Sequence, residues 1–268
     1  TTPVQNGRLA DLDALEAHWD HALTNHLNLD TEECAVLTTA HLFDTKETKE
    51  KMLQALFESF AVPRAYIVAP EVLELYASGR ENGVVLGVGA QTTYAVLLHE
   101  GLPDPRTLVR SDVAGDALDA HLAALFRGAG TELDAASARE LKERLGCCAA
   151  AAAAADDTGG ADDQDFELPD GKTLRVSAAQ RVACAEPLFA PPADAGCGLA
   201  QLVGSCIKLR DSDGALVSRV HGKDGTDNWY QSIVLAGGSS CFRGFESRLA
   251  SALQLYAPAG CTVHAPAP

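Results

Sequence analysis

The chain has 268 residues, of which 47% are hydrophobic and 22% are charged, and its formal net charge is −16. This composition is typical of a globular protein with one large domain or two smaller ones. So acidic a chain is a poor candidate for binding nucleic acid by neutralising phosphates. No apolar run approaches the roughly 20 residues that a membrane-spanning helix needs, and we expect no signal peptide at the start of the chain.

Eight cysteines are scattered along the chain without a C-x-x-C pair. Most of them lie among small or apolar residues, which favours small buried thiols in a reducing compartment. Zinc binding is not expected, because no close pair of cysteines or histidines begins a site. We therefore predict no structural metal.

The first part of the chain alternates predicted helices and short strands. Apolar residues recur at helical spacing from Asp11 to Leu27 and from Thr45 to Ser59. Short apolar runs predict strands at 35–39 and 65–69. A further helix begins at Pro70, where proline is tolerated in the first turn.

The segment GVVLGVGAQTTY, residues 83–94, predicts a glycine turn at 87–89 between two buried strands. Later elements follow in the order helix, helix, hairpin, strand and helix, at 116–125, 135–145, 166–176, 232–236 and 245–256. The alanine run at 149–155 predicts a helix end that passes into a surface loop, and the polar stretch 211–227 predicts an exposed insertion. This alternation predicts an α/β or mixed-sheet fold.

Three segments are specific in combination: LYASGR (75–80), ELPDG (167–171) and IVLAGGSSCFRG (233–244). Taken with their order along the chain, they resemble the actin family from end to end. The resemblance implies an α/β, actin-like fold of the ribonuclease H-like class. It also implies an incomplete fold, with the second large half nearly whole and the first half partial.

The resemblance implies three parts. Residues 1–77 match part of actin subdomain 1, residues 78–113 and 212–268 match subdomain 3, and residues 114–211 match subdomain 4. The family's first phosphate loop, with its lysine, matches nothing in this sequence and would lie upstream of it.

The actin family binds ATP and a divalent cation in a cleft, and its second phosphate loop reads D-x-G-D-G. The two aspartates fall on Gly87 and Ala90 here, and the glycine between them is kept as Gly89. The family's water-positioning glutamine falls on Pro70 and a neighbouring histidine falls on Tyr94. Phosphoryl transfer depends on positioning and charge neutralisation, so we expect the chain not to be an enzyme.

The positions that match the adenosine side of the family's cleft are better preserved. They are Gly89, Gly115, Lys142, Glu143, Gly237, Gly238 and Ser239. The resemblance therefore implies an ATP or ADP site that is weak or absent. From the residues alone, Lys142 and Glu143 could equally be a solvated helix face, and the glycine turn at 237–238 could simply end a buried strand.

Three aspartates near this region have simpler interpretations. Asp112 matches an aspartate across the family's cleft, but a residue just before Val-Ala-Gly also suits a helix cap. Asp116 and Asp119 are predicted to be solvated surface acids.

The family's groove between its two large subdomains receives partner helices. Its wall would include Tyr76, Ala77, Gly79 and Glu81 here, although a tyrosine at a helix end can also be part of a core. The stretch that matches the family's apolar filament loop, residues 190–198, lacks large apolar side chains, so polymerisation by the usual contacts is not expected. A partial first half would expose apolar surface, which predicts covering protein partners.

These interpretations converge on a non-hydrolysing actin-related structural subunit of a larger cytoskeletal, ciliary or chromatin-associated assembly. Its expected partners are protein subunits, including actin or other actin-related proteins, with no direct nucleic acid and no membrane. Its expected location is cytoplasmic or cytoskeletal, with the cilium or nucleus as alternatives. The competing interpretations are a conventional ATP-binding, filament-forming actin and a sugar or acetate kinase with the same ancestral cleft.

Overall fold

A computed structural model describes residues 2–149, 162–169, 171–192, 196–212, 229–257 and 260–265. The chain divides into two compact units, residues 1–73 and 74–268. The alanine run beyond residue 149, the turn residue Asp170 and nearly all of the predicted insertion at 211–227 lie outside the described residues.

The first unit is built on two short parallel strands and the helices beside them. In chain order its elements are β1 (Val4–Gln5), β2 (Arg8–Leu9), α1 (Leu12–Asp20), a π-helix (His21–His26), β3 (Ala35–Thr39), α2 (Lys46–Glu58) and β4 (Arg64–Val68). Strands β3 and β4 pair in parallel, with Leu37 opposite Tyr66. A small core of Leu56, Phe60 and Val62 packs against one face of this pair.

Local sequence explains where the two helices of this unit begin. The Asp11 carboxylate accepts a hydrogen bond from the Ala14 backbone N–H (3.0 Å), and the Thr45 hydroxyl accepts one from Thr48 (3.1 Å). Each bond satisfies one of the backbone donors that a helix start leaves open. The first predicted helix is correct in position, but its second half is a π-helix.

Helix α3 (Pro70–Ala77) crosses the boundary between the units, and the second unit follows. Its main sheet has the strand order β12-β11-β5-β6-β7, with β8 also paired to β6. The strands are β5 (Gly83–Val88), β6 (Thr93–His99), β7 (Leu102–Pro103), β8 (Val109–Ser111), β11 (Ile233–Ala236) and β12 (Val263–His264). Strand β5 runs parallel to β11 and antiparallel to β6, so the sheet is mixed.

Strand β5 is longer than the sequence predicted. All six of its residues are buried, and Gly87 pairs with Tyr94 inside the ladder. Gly87 is therefore a strand residue, and the turn starts at Gly89 rather than at Gly87. The continuous burial on both faces is typical of a strand covered by helices on either side.

The remaining elements of the second unit are mostly helical. They are α4 (Gly115–Gly128), α5 (Ala135–Leu145), β9 (Gln164–Glu167), β10 (Thr173–Val176), α6 (Ala178–Ala183), α7 (Glu186–Phe189), α8 (Leu199–Ser212) and α9 (Phe245–Leu253). Strands β9 and β10 form the predicted hairpin. One core cluster joins the sheet to α8 and α9, and a second joins α4 and α5 to the hairpin. The finer division into three subdomain parts stays a prediction.

Candidate functional site

Three backbone turns of the second unit meet at one point. The carbonyls of Gly89 and Ala90, after β5, accept hydrogen bonds from the backbone N–H groups of Gly115 (3.0 Å) and Asp116 (2.7 Å). The Ser239 hydroxyl, from the turn after β11, lies 3.4 Å from the Gly89 carbonyl oxygen. The β5–β6 turn thus binds the first backbone donors of α4.

Two glycines allow this close approach. A Cβ atom at Gly115 would lie 3.0 Å from the Ser239 hydroxyl and 3.2 Å from the Gly89 carbonyl oxygen. Gly237 has φ +84°, and a Cβ atom there would overlap the Val88 backbone. Both positions therefore require glycine for reasons of space or backbone conformation.

A cavity of about 600 Å³ opens beside these turns. It is lined by Gly89, Ala90, Asp116, Arg139, Lys142, Glu143, Arg144, Gly146, Gly238, Ser239, Cys241, Phe242 and Arg243. Five of the seven predicted nucleotide-site residues line it directly. The other two, Gly115 and Gly237, support the turns at its edge.

Lys142 has a different role from a simple solvated lysine. Its side chain is buried, and its ammonium donates to the Gly115 carbonyl (3.0 Å) and pairs with the Asp119 carboxylate (2.8 Å). This contact ties α5 to the first turns of α4. Glu143, by contrast, is exposed at the cavity edge.

The structure corrects two predictions about the aspartates. Asp119 is buried and pairs with Lys142 and Arg139, so it is not a solvated surface acid. Asp112 pairs with Arg110 (3.0 Å), and α4 begins after Ala114 without a side-chain cap, so Asp112 does not cap this helix. Asp116 is half-exposed and pairs with Arg139 (3.2 Å).

The sequence analysis missed three arginines of the cavity. The lining carries four cationic side chains, Arg139, Lys142, Arg144 and Arg243, against the carboxylates of Asp116 and Glu143. Within the described residues, the Arg243 guanidinium has no hydrogen bond or ion pair. Arg139 could have been found, since it lies three residues before Lys142 on the same helix face. The cavity is thus locally positive in an acidic chain, which favours an anionic ligand.

Comparison with known proteins now decides the family. The family model described as Actin matches residues 1–137 and 132–268. The chain is also 31% identical over 262 residues to Actin-related protein 2 of Arabidopsis thaliana, with 94% of this chain and 64% of that protein covered. The chain belongs to the actin family. It spans 64% of the length of that relative.

Membership of the actin family confirms the predicted α/β, actin-like fold and an actin-family role of the cytoskeletal type. It also corrects one prediction. The expectation that the chain is not an enzyme is wrong, because the family's fold is an ATPase fold and the described residues do not show a degenerate site. Adenine nucleotides are the usual ligands of this fold.

The residue at the family's first loop aspartate, Gly87, is closely covered. The Tyr94 ring lies across it, and a Cβ atom at Gly87 would overlap the ring carbons of Tyr94. The Tyr94 hydroxyl donates to the Glu74 carboxylate, 2.9 Å from each oxygen. The Tyr94 side chain is therefore held in place at both ends.

The four residues predicted for a partner groove lie apart from the cavity lining. Tyr76, Ala77, Gly79 and Glu81 are all exposed, so Tyr76 is not part of the core. The Tyr76 hydroxyl lies against Gly101, whose backbone N–H donates to the Glu81 carbonyl (2.7 Å). Whether a partner binds there stays a prediction.

The cysteines largely follow their predicted environment. Cys147, Cys148, Cys184 and Cys206 are buried, Cys241 is exposed, and all eight thiols are free. Burial raises the pKa of Cys148, Cys184 and Cys206 to about 12 in each case. In addition, no helix in the described parts of the chain is long and apolar enough to cross a membrane.

Proposed function

We propose that the cavity beside the three turns holds an adenine nucleotide. The observation that carries this proposal is the meeting of three backbone turns at a locally positive cavity. Gly89, Gly238 and Ser239 would offer backbone close to the ligand, because small side chains there leave room for it. Family membership supports the choice of ATP or ADP over other anions.

In this proposal the cationic side chains of the cavity bind the phosphates. Arg243 suits this role, because its guanidinium is unpaired within the described residues and its backbone is held by a hydrogen bond from Cys148 (2.8 Å). Lys142 would act from behind, since its ammonium fixes the Gly115 carbonyl. Glu143 would contact the ribose or base from the cavity edge, as its match within the family implies.

Equilibrium binding of ATP and ADP, followed by calorimetry, tests this site. Arg243→Ala should weaken ATP binding about tenfold, the effect of losing roughly one charge-assisted hydrogen bond. Arg175→Ala is the matched control, because Arg175 is an exposed arginine on β10 paired with Asp163. No heat with either nucleotide at millimolar concentration, or equal losses in both variants, would contradict the proposal.

We further propose that the chain is a subunit of a larger cytoskeletal, ciliary or chromatin-associated assembly of actin-related proteins. The supporting observation is the bare face of the β3–β4 pair. Leu37 is 59% exposed and Tyr66 is 64% exposed, and the two lie opposite each other in the strand register. Adjacent exposed apolar side chains on a sheet favour a protein-binding surface. A cytoplasmic or cytoskeletal location, or the cilium or nucleus, would follow from that assembly.

The size of the native complex tests subunit membership. The chain should elute from a size-exclusion column in native extract well above its own mass of 28.1 kDa. Leu37→Asp with Tyr66→Asp should shift it towards the monomer, whereas Leu255→Asp, at an 88% exposed leucine of the other unit, should not. A monomer in the unaltered extract would count against the assembly, and sedimentation as long filaments would favour a conventional actin instead.

A further inference from the structure

The π-helix His21–His26 carries two exposed histidines that no function described so far uses. A full hydrogen-bonded π turn is rare and occurs frequently at functional sites. Here the Leu27 backbone N–H donates to the Ala22 carbonyl (3.0 Å), five residues back, which defines the π turn.

The π turn brings the two histidines together. In an α-helix, five residues make about 1.4 turns, so side chains at i and i+5 point to different sides. A π-helix closes its turn over five residues, which places His26 nearly above His21. The two imidazole centres are 4.7 Å apart, with the ring planes at 83°.

We propose that His21 and His26 form a two-histidine site for a borderline divalent metal ion such as Cu²⁺ or Zn²⁺. Zinc binds an imidazole nitrogen at about 2.0–2.1 Å, so two imidazoles bound to one ion have their centres about 5 Å apart. The observed separation of the rings is close to this value. Both side chains are exposed, so a metal ion can reach them without a change in the fold.

Neighbouring groups position one of the two rings. The Asn25 amide nitrogen lies 3.4 Å from Nδ1 of His21, which leaves Nε2 of His21 for the metal. Such contacts to the second ring nitrogen commonly orient histidine ligands. Nδ1 of His18, on the preceding turn, lies instead 2.6 Å from the Ala14 carbonyl.

The donor set selects the class of metal. Imidazole suits copper, zinc and nickel, with copper bound most tightly, whereas magnesium prefers oxygen ligands. The described residues contain no group of three or more His, Cys, Asp or Glu side chains that could hold a metal. Water would therefore complete the coordination, and the site would bind its ion more weakly than a four-ligand site does.

Histidine footprinting tests the proposal residue by residue, without interference from metal at the thiols. Diethyl pyrocarbonate acylates accessible imidazoles, and mass spectrometry locates the products. Zn²⁺ should slow acylation of His21 and His26 about tenfold, the ratio expected for about 1.4 kcal/mol of binding. His18 is the internal control and should react equally fast with and without Zn²⁺, and Mg²⁺ should protect none of the three.

A single variant separates a shared site from two independent histidines. In His26→Asn, Zn²⁺ should no longer protect His21, because the remaining ring is a lone ligand. Protection of His21 that survives this change would overturn the proposal. So would equal reaction rates of His21 and His26 with and without Zn²⁺ in the unaltered chain.

Discussion

The Lys142 ammonium is enclosed by protein groups on the side away from the cavity. It lies between the Asp119 carboxylate and the Gly115 carbonyl, and both side chains of the pair are about nine-tenths buried. A buried ion pair adds little net stability, but the loss of one partner leaves a charge without compensation. Lys142 therefore fixes the start of α4 as well as lining the cavity.

Lys142→Met should lower the free energy of unfolding by about 3 kcal/mol, because the Asp119 carboxylate would lose its closest cation. Adding Asp119→Leu should recover most of this loss, since the buried charge is then removed. Arg144→Met is the control, because Arg144 pairs with Glu140 in solvent and should change stability by less than about 1 kcal/mol. Denaturant unfolding of the four proteins measures these differences, and a double variant less stable than Lys142→Met would contradict the interpretation.

Gly87 should not tolerate a larger residue while Tyr94 is present. A Cβ atom there would overlap the Tyr94 ring, and the hydrogen bond from Tyr94 to Glu74 keeps the ring in place. Gly87→Ala should therefore cost about 1–3 kcal/mol of stability, the usual effect of overfilling a packed core. Thermal or denaturant unfolding measures the loss.

A double-variant cycle identifies Tyr94 as the cause. Gly87→Ala and Tyr94→Ala together should cost less than the sum of the two single changes, because residues in contact are coupled. Gly128→Ala, where the added atom would meet nothing within 4 Å, should leave stability unchanged or slightly raised. Additive losses at Gly87 and Tyr94 would show that another contact is responsible.

At the scale of elements, the sequence predicted most strands and helices but not their ends or their backbone class. The helix at 45–59, the hairpin at 166–176 and the strand at 232–236 were correctly placed, because hydrophobic period and turn residues act locally. Strand β5 extends to Val88 instead of ending at Leu86, since its pairing with β6 continues through Gly87. Tertiary pairing of this kind overrides the local signal of a glycine.

The site could be predicted only in part. Glycine positions at the three turns followed from family motifs, whereas the burial of Asp119 depends on how α4 and α5 pack. The histidine pair was missed for a similar reason. Two histidines five positions apart point to different sides of an α-helix, and the sequence pattern of residues 11–27 indicated an α-helix throughout.

The junction of the three turns separates stability from binding. Gly115→Ala should lower stability by about 1–2 kcal/mol, because the new Cβ atom would crowd the Ser239 hydroxyl and the Gly89 carbonyl. Gly238→Ala should leave stability nearly unchanged, since its Cβ atom would meet nothing within 4 Å. Because Gly238 lines the cavity, however, this second change should weaken nucleotide binding.

Unfolding curves and calorimetry on the same two variants give both quantities. If Gly238→Ala binds ATP as tightly as the unaltered chain, the nucleotide does not approach this turn. If Gly115→Ala proves fully stable, the contact between the turns is looser than the distances indicate.

At the scale of the whole molecule, buried thiols make stability depend on alkaline pH. The pKa of Cys148, Cys184 and Cys206 is raised from an ordinary value of 9.0 to about 12, chiefly by burial, which disfavours the thiolate. In the unfolded chain these thiols lose their protons near the ordinary value. The folded state keeps them, so the unfolded state binds fewer protons between pH 9 and pH 12.

This difference fixes the sign of the pH dependence. Below pH 9 both states are protonated and the contribution of the thiols to stability is complete; above it, stability falls as pH rises. Each thiol adds a slope of about 1.4 kcal/mol per pH unit in this window. Cys184→Ala should therefore make the fall in unfolding free energy shallower by about that amount, whatever packing it loses. Cys241→Ala, at an exposed thiol, should leave the slope unchanged. Denaturant unfolding from pH 8 to pH 11 under reducing conditions measures all three proteins, and parallel curves for Cys184→Ala and the unaltered chain would show that Cys184 ionises equally easily in the folded state.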